Sequence, residues 1–169
     1  MKYKKDKIFY KFKDKDKIYE LVTYDESKID YYSLIKKYQR EGYYQLIINS
    51  RLMIDLIKDF KKIDLTVYDI ELQEDDETFY GELRKTLKGL KNKHNSELCF
   101  KYLLQSLNLL YCDNSIEINK ISLGNSSDDV IVYSNGIVIM NEDIEEKIKA
   151  FLKKELQLII QWKSYIRIY

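Results

Sequence analysis

The chain has 169 residues, and its 29 Lys and Arg almost cancel its 28 Asp and Glu, leaving a formal net charge of +1. That balance excludes the large overall basic excess of many nucleic-acid and membrane binders, and 45% apolar with 34% charged residues exclude a disordered or low-complexity chain. With 22 Ile, 16 Tyr, one Ala and no Pro, the composition first reports AT-rich coding and only then any task.

Ile8–Phe12 and Ile18–Val22 are rich in β-branched and aromatic residues and flank the polar run 13–17, which predicts a hairpin with a longer loop. Asp25 or Ser27 then caps a helix running to about Arg40, with Ile29, Tyr32, Ile35 and Tyr38 on one face and Gly42 beyond its end. Residues 43–48 form a short continuous apolar run, expected as a strand covered on both faces. Ser50 is expected to cap a short helix whose apolar face is Met53, Leu56, Ile57 and Phe60, with another strand beginning near Ile63. Strand, helix and strand joined this closely imply a βαβ unit and a parallel pair.

Two helices are expected over 77–111, one carrying Phe79, Leu83, Leu87 and Leu90, the other Leu98, Tyr102, Leu103, Leu107 and Leu110. Strand periodicity returns from Ser115 through Ile116, Ile118 and Ile121, and Asn135-Gly136 between Val130–Ser134 and Ile137–Met140 predicts a type I′ hairpin. A last helix opens at Asn141, with Glu142 and Asp143 at the positive end of its dipole. It carries Ile144, Ile148, Phe151, Leu152, Leu156 and Ile159, is closed by Trp162, and is followed by an alternating tail, 165–169, that suits an edge strand. The expected fold is α+β: a single domain over 1–169 with a sub-boundary near Asp113. In it a mixed β-sheet (N-terminal hairpin, one βαβ unit, C-terminal antiparallel meander) packs against about five helices.

Cys99 and Cys112 are too few for a disulfide framework or a zinc site. No stretch approaches the ~18 apolar residues of a membrane span, and the basic N-terminus lacks a signal-peptide apolar stretch. An intracellular, cytoplasmic protein with no membrane partner is expected. The five glycines are scattered, so no phosphate-binding loop and no cofactor is expected.

Three clusters could carry function. Between Asp64 and Gly81 lie seven acids and no Lys or Arg. If alternation persists, Asp69 and Glu71, with Glu74 beyond, continue a strand face and could hold Mg²⁺ for a nuclease or nucleotide-processing enzyme. If it slips at Tyr68, Ile70 and Leu72 turn inward and the acids are solvated; this is the reading preferred, so no metal is favoured. The second cluster is a basic stripe, Arg84, Lys88 and Lys91 with Lys85 beside them, suited to gripping a partner or phosphates, or simply to a solvated helix end. The third is the N-terminal hairpin, where Tyr3, Phe9, Tyr10, Phe12 and Tyr19 interleave with eight Lys. That mix suits single-stranded nucleic acid, and equally an edge hairpin whose Lys deter association. His94 has no nucleophile implied by spacing.

The expected function is a non-enzymatic protein-binding module of inhibitor, immunity or host-interaction type, including phage or mobile-element anti-defence, that occludes a macromolecular partner. Tyr suits such a surface, but only tyrosines exposed together count as evidence for one. The alternatives are a nucleic-acid-binding accessory protein using the basic helix, and a Mg²⁺-dependent enzyme on Asp69 and Glu71.

Overall fold

The computed structural model describes residues 2–73, 77–91, 96–114 and 117–166, with their side chains except those of 78, 113, 114 and 160–166. In chain order the elements are β1 (Tyr3–Lys13), β2 (Asp16–Thr23), α1 (Tyr31–Arg40), β3 (Tyr44–Gln45), α2 (Ser50–Phe60), β4 (Thr66–Leu72) and α3 (Glu77–Leu90). They continue with α4 (Ser96–Leu109), β5 (Ile118–Gly124), β6 (Asp129–Tyr133), β7 (Ile137–Asn141) and α5 (Glu145–Ile166). The class is α+β, as expected. The chain gathers into two compact units, Met1–Ile48 with Asn135–Tyr169, and Asn49–Ser134. No helix among the described residues is long and apolar enough to cross a membrane.

In the first unit β1 pairs antiparallel with β2 and, on its other edge, with β7 and β3. The hairpin is tighter than expected: Lys13 pairs with Asp16, and the turn is Asp14-Lys15 with Asp14 at φ 56°. Asp is among the few non-glycine residues that take this conformation at modest cost. α1 starts later than expected, because Asp30 accepts the Ser33 amide at 3.0 Å while Asp25 and Ser27 are engaged with each other in a turn. Its inward face is Leu34, Ile35 and Tyr38, the last stacked on Phe9 at 4.5 Å; Tyr32, expected inward, is 66% exposed. Residues 43–48 are not covered on both faces. Leu46 and Ile48 are buried, whereas Tyr44 and Ile47 face solvent.

α5 packs on β2 and β7, burying Ile148, Phe151, Leu152 and Leu156. Tyr165 and Ile166 continue this helix instead of forming a strand; 167–169 and the Trp162 side chain lie outside what is described. Two charges are buried on β1. Asp6 faces the Lys149 ammonium at 3.3 Å, and Lys7 Nζ donates to the carbonyls of Leu46, at 3.0 Å, and Asn135. That crowding explains Gly136, at φ +77°, where a Cβ would meet the Leu46 carbonyl at 2.3 Å. Asn135 does not take a positive φ, so the turn is not type I′; its side chain accepts the Ile137 amide at 3.1 Å instead.

In the second unit β4, β5 and β6 form an antiparallel ladder. Asn49, not Ser50, caps α2, accepting the Leu52 amide at 2.9 Å. Ser50 is fully buried, accepts the Ile118 amide at 2.7 Å and donates to Glu117 at 2.5 Å, so it ties α2 to the start of β5. α2 buries Leu52, Met53, Ile54, Leu56, Ile57 and Phe60. Burial of each such side chain stabilises by about 1.5–3 kcal/mol. A short 3-10 turn over Lys61–Ile63 and a left-handed Asp64 delay β4 to Thr66.

β3 pairs with β1 and β4 with β5, so the expected parallel pair flanking α2 is not made. β3, at two residues, offers too few main-chain groups to hold a crossover, and antiparallel pairing is slightly more stable per residue. α3 and α4 pack on each other as expected. α4 buries Leu103 and Leu107 but exposes Leu98, Tyr102 and Leu109, which helical geometry places on the opposite side. Ile116 lies outside the described residues.

Candidate functional site

Each unit contains one place where the side chains singled out in the sequence come together. In the second unit β4 is bulged between Val67 and Asp69, and the extra residue changes the parity of the strand. Val67, Ile70 and Leu72 are buried, while Tyr68 and Asp69 are exposed and Glu71 is half-buried. This is the slipped alternation. Lys120 sits opposite Glu71 in the ladder, with Nζ 2.8 Å from Glu71 and 3.9 Å from Asp69. The Asn119 amide donates to the other Glu71 oxygen at 2.7 Å. Hydrogen bonds from Lys120 first and Asn119 second hold the Glu71 carboxyl below its usual range, and the same bond to Glu71 raises Lys120.

Tyr80, in the first turns of α3, hooks the end of β4: its hydroxyl accepts the Leu72 amide at 2.7 Å and donates to the Leu72 carbonyl at 3.3 Å. Arg84, one turn on, places its guanidinium 5.8 Å from the Tyr80 ring centroid. Asp69, Glu71, Glu77, Tyr80 and Arg84 line an open cleft of about 680 Å³. The structure thus joins the first residue of the basic stripe to the two acids of the strand. Lys85, Lys88 and Lys91 are exposed and do not line the cleft. Glu74 and His94 lie outside the described residues. Among the described residues no three His, Cys, Asp or Glu side chains gather as a metal set. A cation entering between Asp69 and Glu71 would have to displace Lys120, and a Glu71 whose carboxyl is held below its usual range is a poor general acid. Lys120 and Tyr80 were not visible as cleft residues in the sequence, because strand register sets the one and the β4 to α3 connection the other.

In the first unit Tyr10 stands between two strand neighbours, opposite Tyr19 on β2 and Tyr44 on β3. Ring centroids lie 6.1 Å from Tyr10 to Tyr19 and 5.5 Å from Tyr10 to Tyr44; Phe12 closes the cluster at 5.7 Å from Tyr10 and 5.9 Å from Tyr44. Phe12 is 55% and Tyr44 54% exposed, Tyr10 is half-buried, and Tyr19 is buried, its hydroxyl pushed up to about 12 by burial. Lys17, opposite Phe12, sets its ammonium 4.6 Å from the Tyr10 centroid and 5.6 Å from that of Phe12. Phe9 points to the other face and packs on Tyr38, so the hairpin's aromatic residues do not form one surface. No known protein family, curated protein or solved structure matches this chain. The sequence conceals Tyr44, because the run 43–48 reads as a buried strand. Its signal was the Tyr43-Tyr44 pair beside Gly42 at a short strand's start.

Proposed function

We propose that the chain is a non-enzymatic protein-binding module of inhibitor, immunity or host-interaction type, in the manner of phage or mobile-element anti-defence proteins, acting by occluding a macromolecular partner. The observation that supports this is the ring cluster Tyr10, Phe12 and Tyr44, more than half exposed at two of its three members and held by one stacked and two edge-to-face ring contacts. Exposed aromatic side chains are costly to leave in water, and rings already held in place lose little freedom on binding, which is what interface anchors require. Lys17 supplies a polar rim to the cluster.

The test is affinity capture from the native host with the parent chain and with Phe12→Ser/Tyr44→Ser, both folded by circular dichroism. A protein retained by the parent and lost with the double substitution is the expected result. Capture that ignores both substitutions, or that brings down nucleic acid alone, overturns the reading.

A further inference from the structure

α1 presents a second surface, on the side of β1 opposite the ring cluster, that takes no part in the proposed function. Tyr32, Lys36 and Arg40 recur every four residues along its outward face, with Ser33 and Lys37 beside them. All five are exposed. The Lys36 ammonium lies 4.4 Å from the Tyr32 ring centroid, and Tyr32, at 66%, is the most exposed large apolar side chain among the described residues. Ser33, Lys36, Lys37, Arg40 and Glu41 line a shallow hollow of about 290 Å³. Among the described residues no carboxylate forms an ion pair with Lys36, Lys37 or Arg40. A helix C-terminus favours cations through its dipole, which accounts for Lys37 and Arg40 but not for an exposed ring in the first turn.

We infer that this face of α1 docks an acidic segment of a protein partner, Asp and Glu side chains pairing with Lys36, Lys37 and Arg40 and the apolar part of the segment lying on Tyr32. The inference rests on the protein-binding reading for the class of partner, but on none of the residues of the ring cluster. Charge complementarity selects the occupant: Lys36, Lys37 and Arg40, none of them ion-paired with a carboxylate among the described residues, line one hollow against a single acid, Glu41, whereas Arg84 on α3 lines a cleft with Asp69 and Glu71. A nucleic-acid strand is disfavoured because Asp30 and Glu41 stand at the two ends of the helix. A backbone charged at every unit meets them, while a peptide can place neutral residues there.

The experiment is a titration of the isotope-labelled full chain with a short peptide alternating Glu and Ser, and separately with single-stranded oligothymidylate of equal charge, followed by amide chemical shifts. The peptide is expected to move the amides of 31–41, with an affinity that falls as salt rises and drops about tenfold in Lys36→Glu/Arg40→Glu. The single substitutions Lys36→Ala and Arg40→Ala, each giving a smaller loss, serve if the double variant is not folded. Three results overturn the inference: no binding, shifts that map instead to Arg84, Lys85, Lys88 and Lys91, or oligothymidylate binding at 31–41 as tightly as the peptide. Loss of the α1 site with partner capture through Phe12 and Tyr44 intact removes this inference alone; loss of that capture with peptide binding intact removes the proposed function of the ring cluster alone.

Discussion

Lys7 is a charged residue fully inside the first unit, and among the described residues no carboxylate is hydrogen-bonded to it. Its ammonium donates to two main-chain carbonyls, and the Phe9 and Tyr31 rings lie 5.8 and 6.0 Å away. Burial pulls its pKa from 10.5 down to about 8. The unfolded chain therefore binds more protons than the folded one between those values, so this residue's contribution to stability is present at high pH and is lost as pH falls through about 8. Tyr19 acts in the opposite sense higher up, because a folded value near 12 against 10.0 unfolded removes stability as pH rises through that window. The two are separated by subtraction. The difference in unfolding free energy between the parent and Lys7→Met, followed by urea denaturation from pH 7.5 to 10 (about the span of the shift), should rise with pH. A flat difference would mean that Lys7 is not desolvated.

At the scale of elements, the two residues that start α2 have different roles although either reads as a cap. Asn49 satisfies one amide at a half-buried helix end, and Asn49→Ala should cost about 1 kcal/mol. Ser50 is buried and bonded to Ile118 and Glu117, so Ser50→Ala strands a buried amide and should cost more, about 1–3 kcal/mol. Urea midpoints at constant denaturant dependence check the order. The reverse order would show that Ser50 ties nothing to β5. α4 illustrates the same limit of local pattern: it is apolar on two sides, and packing chose Leu103 and Leu107 over Leu98, Tyr102 and Leu109.

For the whole molecule, the near-zero net charge is a sum of unlike segments, a basic hairpin, an acidic stretch over 64–77 and a basic stretch over 84–93. Register brings part of the acidic stretch to its own counter-charge, since Lys120 lies opposite Glu71. Millimolar Mg²⁺ should therefore leave the melting temperature of the parent unchanged, and Lys120→Ala should let the Glu71 carboxyl rise toward its ordinary range, read by carboxylate shifts against pH. A Mg²⁺-dependent rise in melting temperature that vanishes in Asp69→Ala/Glu71→Ala would restore the metal-dependent enzyme as the better reading.

Local physics was legible in the residues themselves. The α+β class, the N-terminal hairpin, the end of α1 at Arg40, the pair α3 and α4 and the apolar face of α5 all follow from periodicity and turn chemistry, which act over a few neighbours. Tertiary structure decided what depends on distant partners: that β3 joins β1, that a bulge in β4 turns Asp69 and Glu71 outward, that Lys120 meets them, and that Tyr44 stands beside Tyr10. Strand register and edge choice are settled by which apolar faces can be buried together, a comparison among segments that no single window of sequence contains.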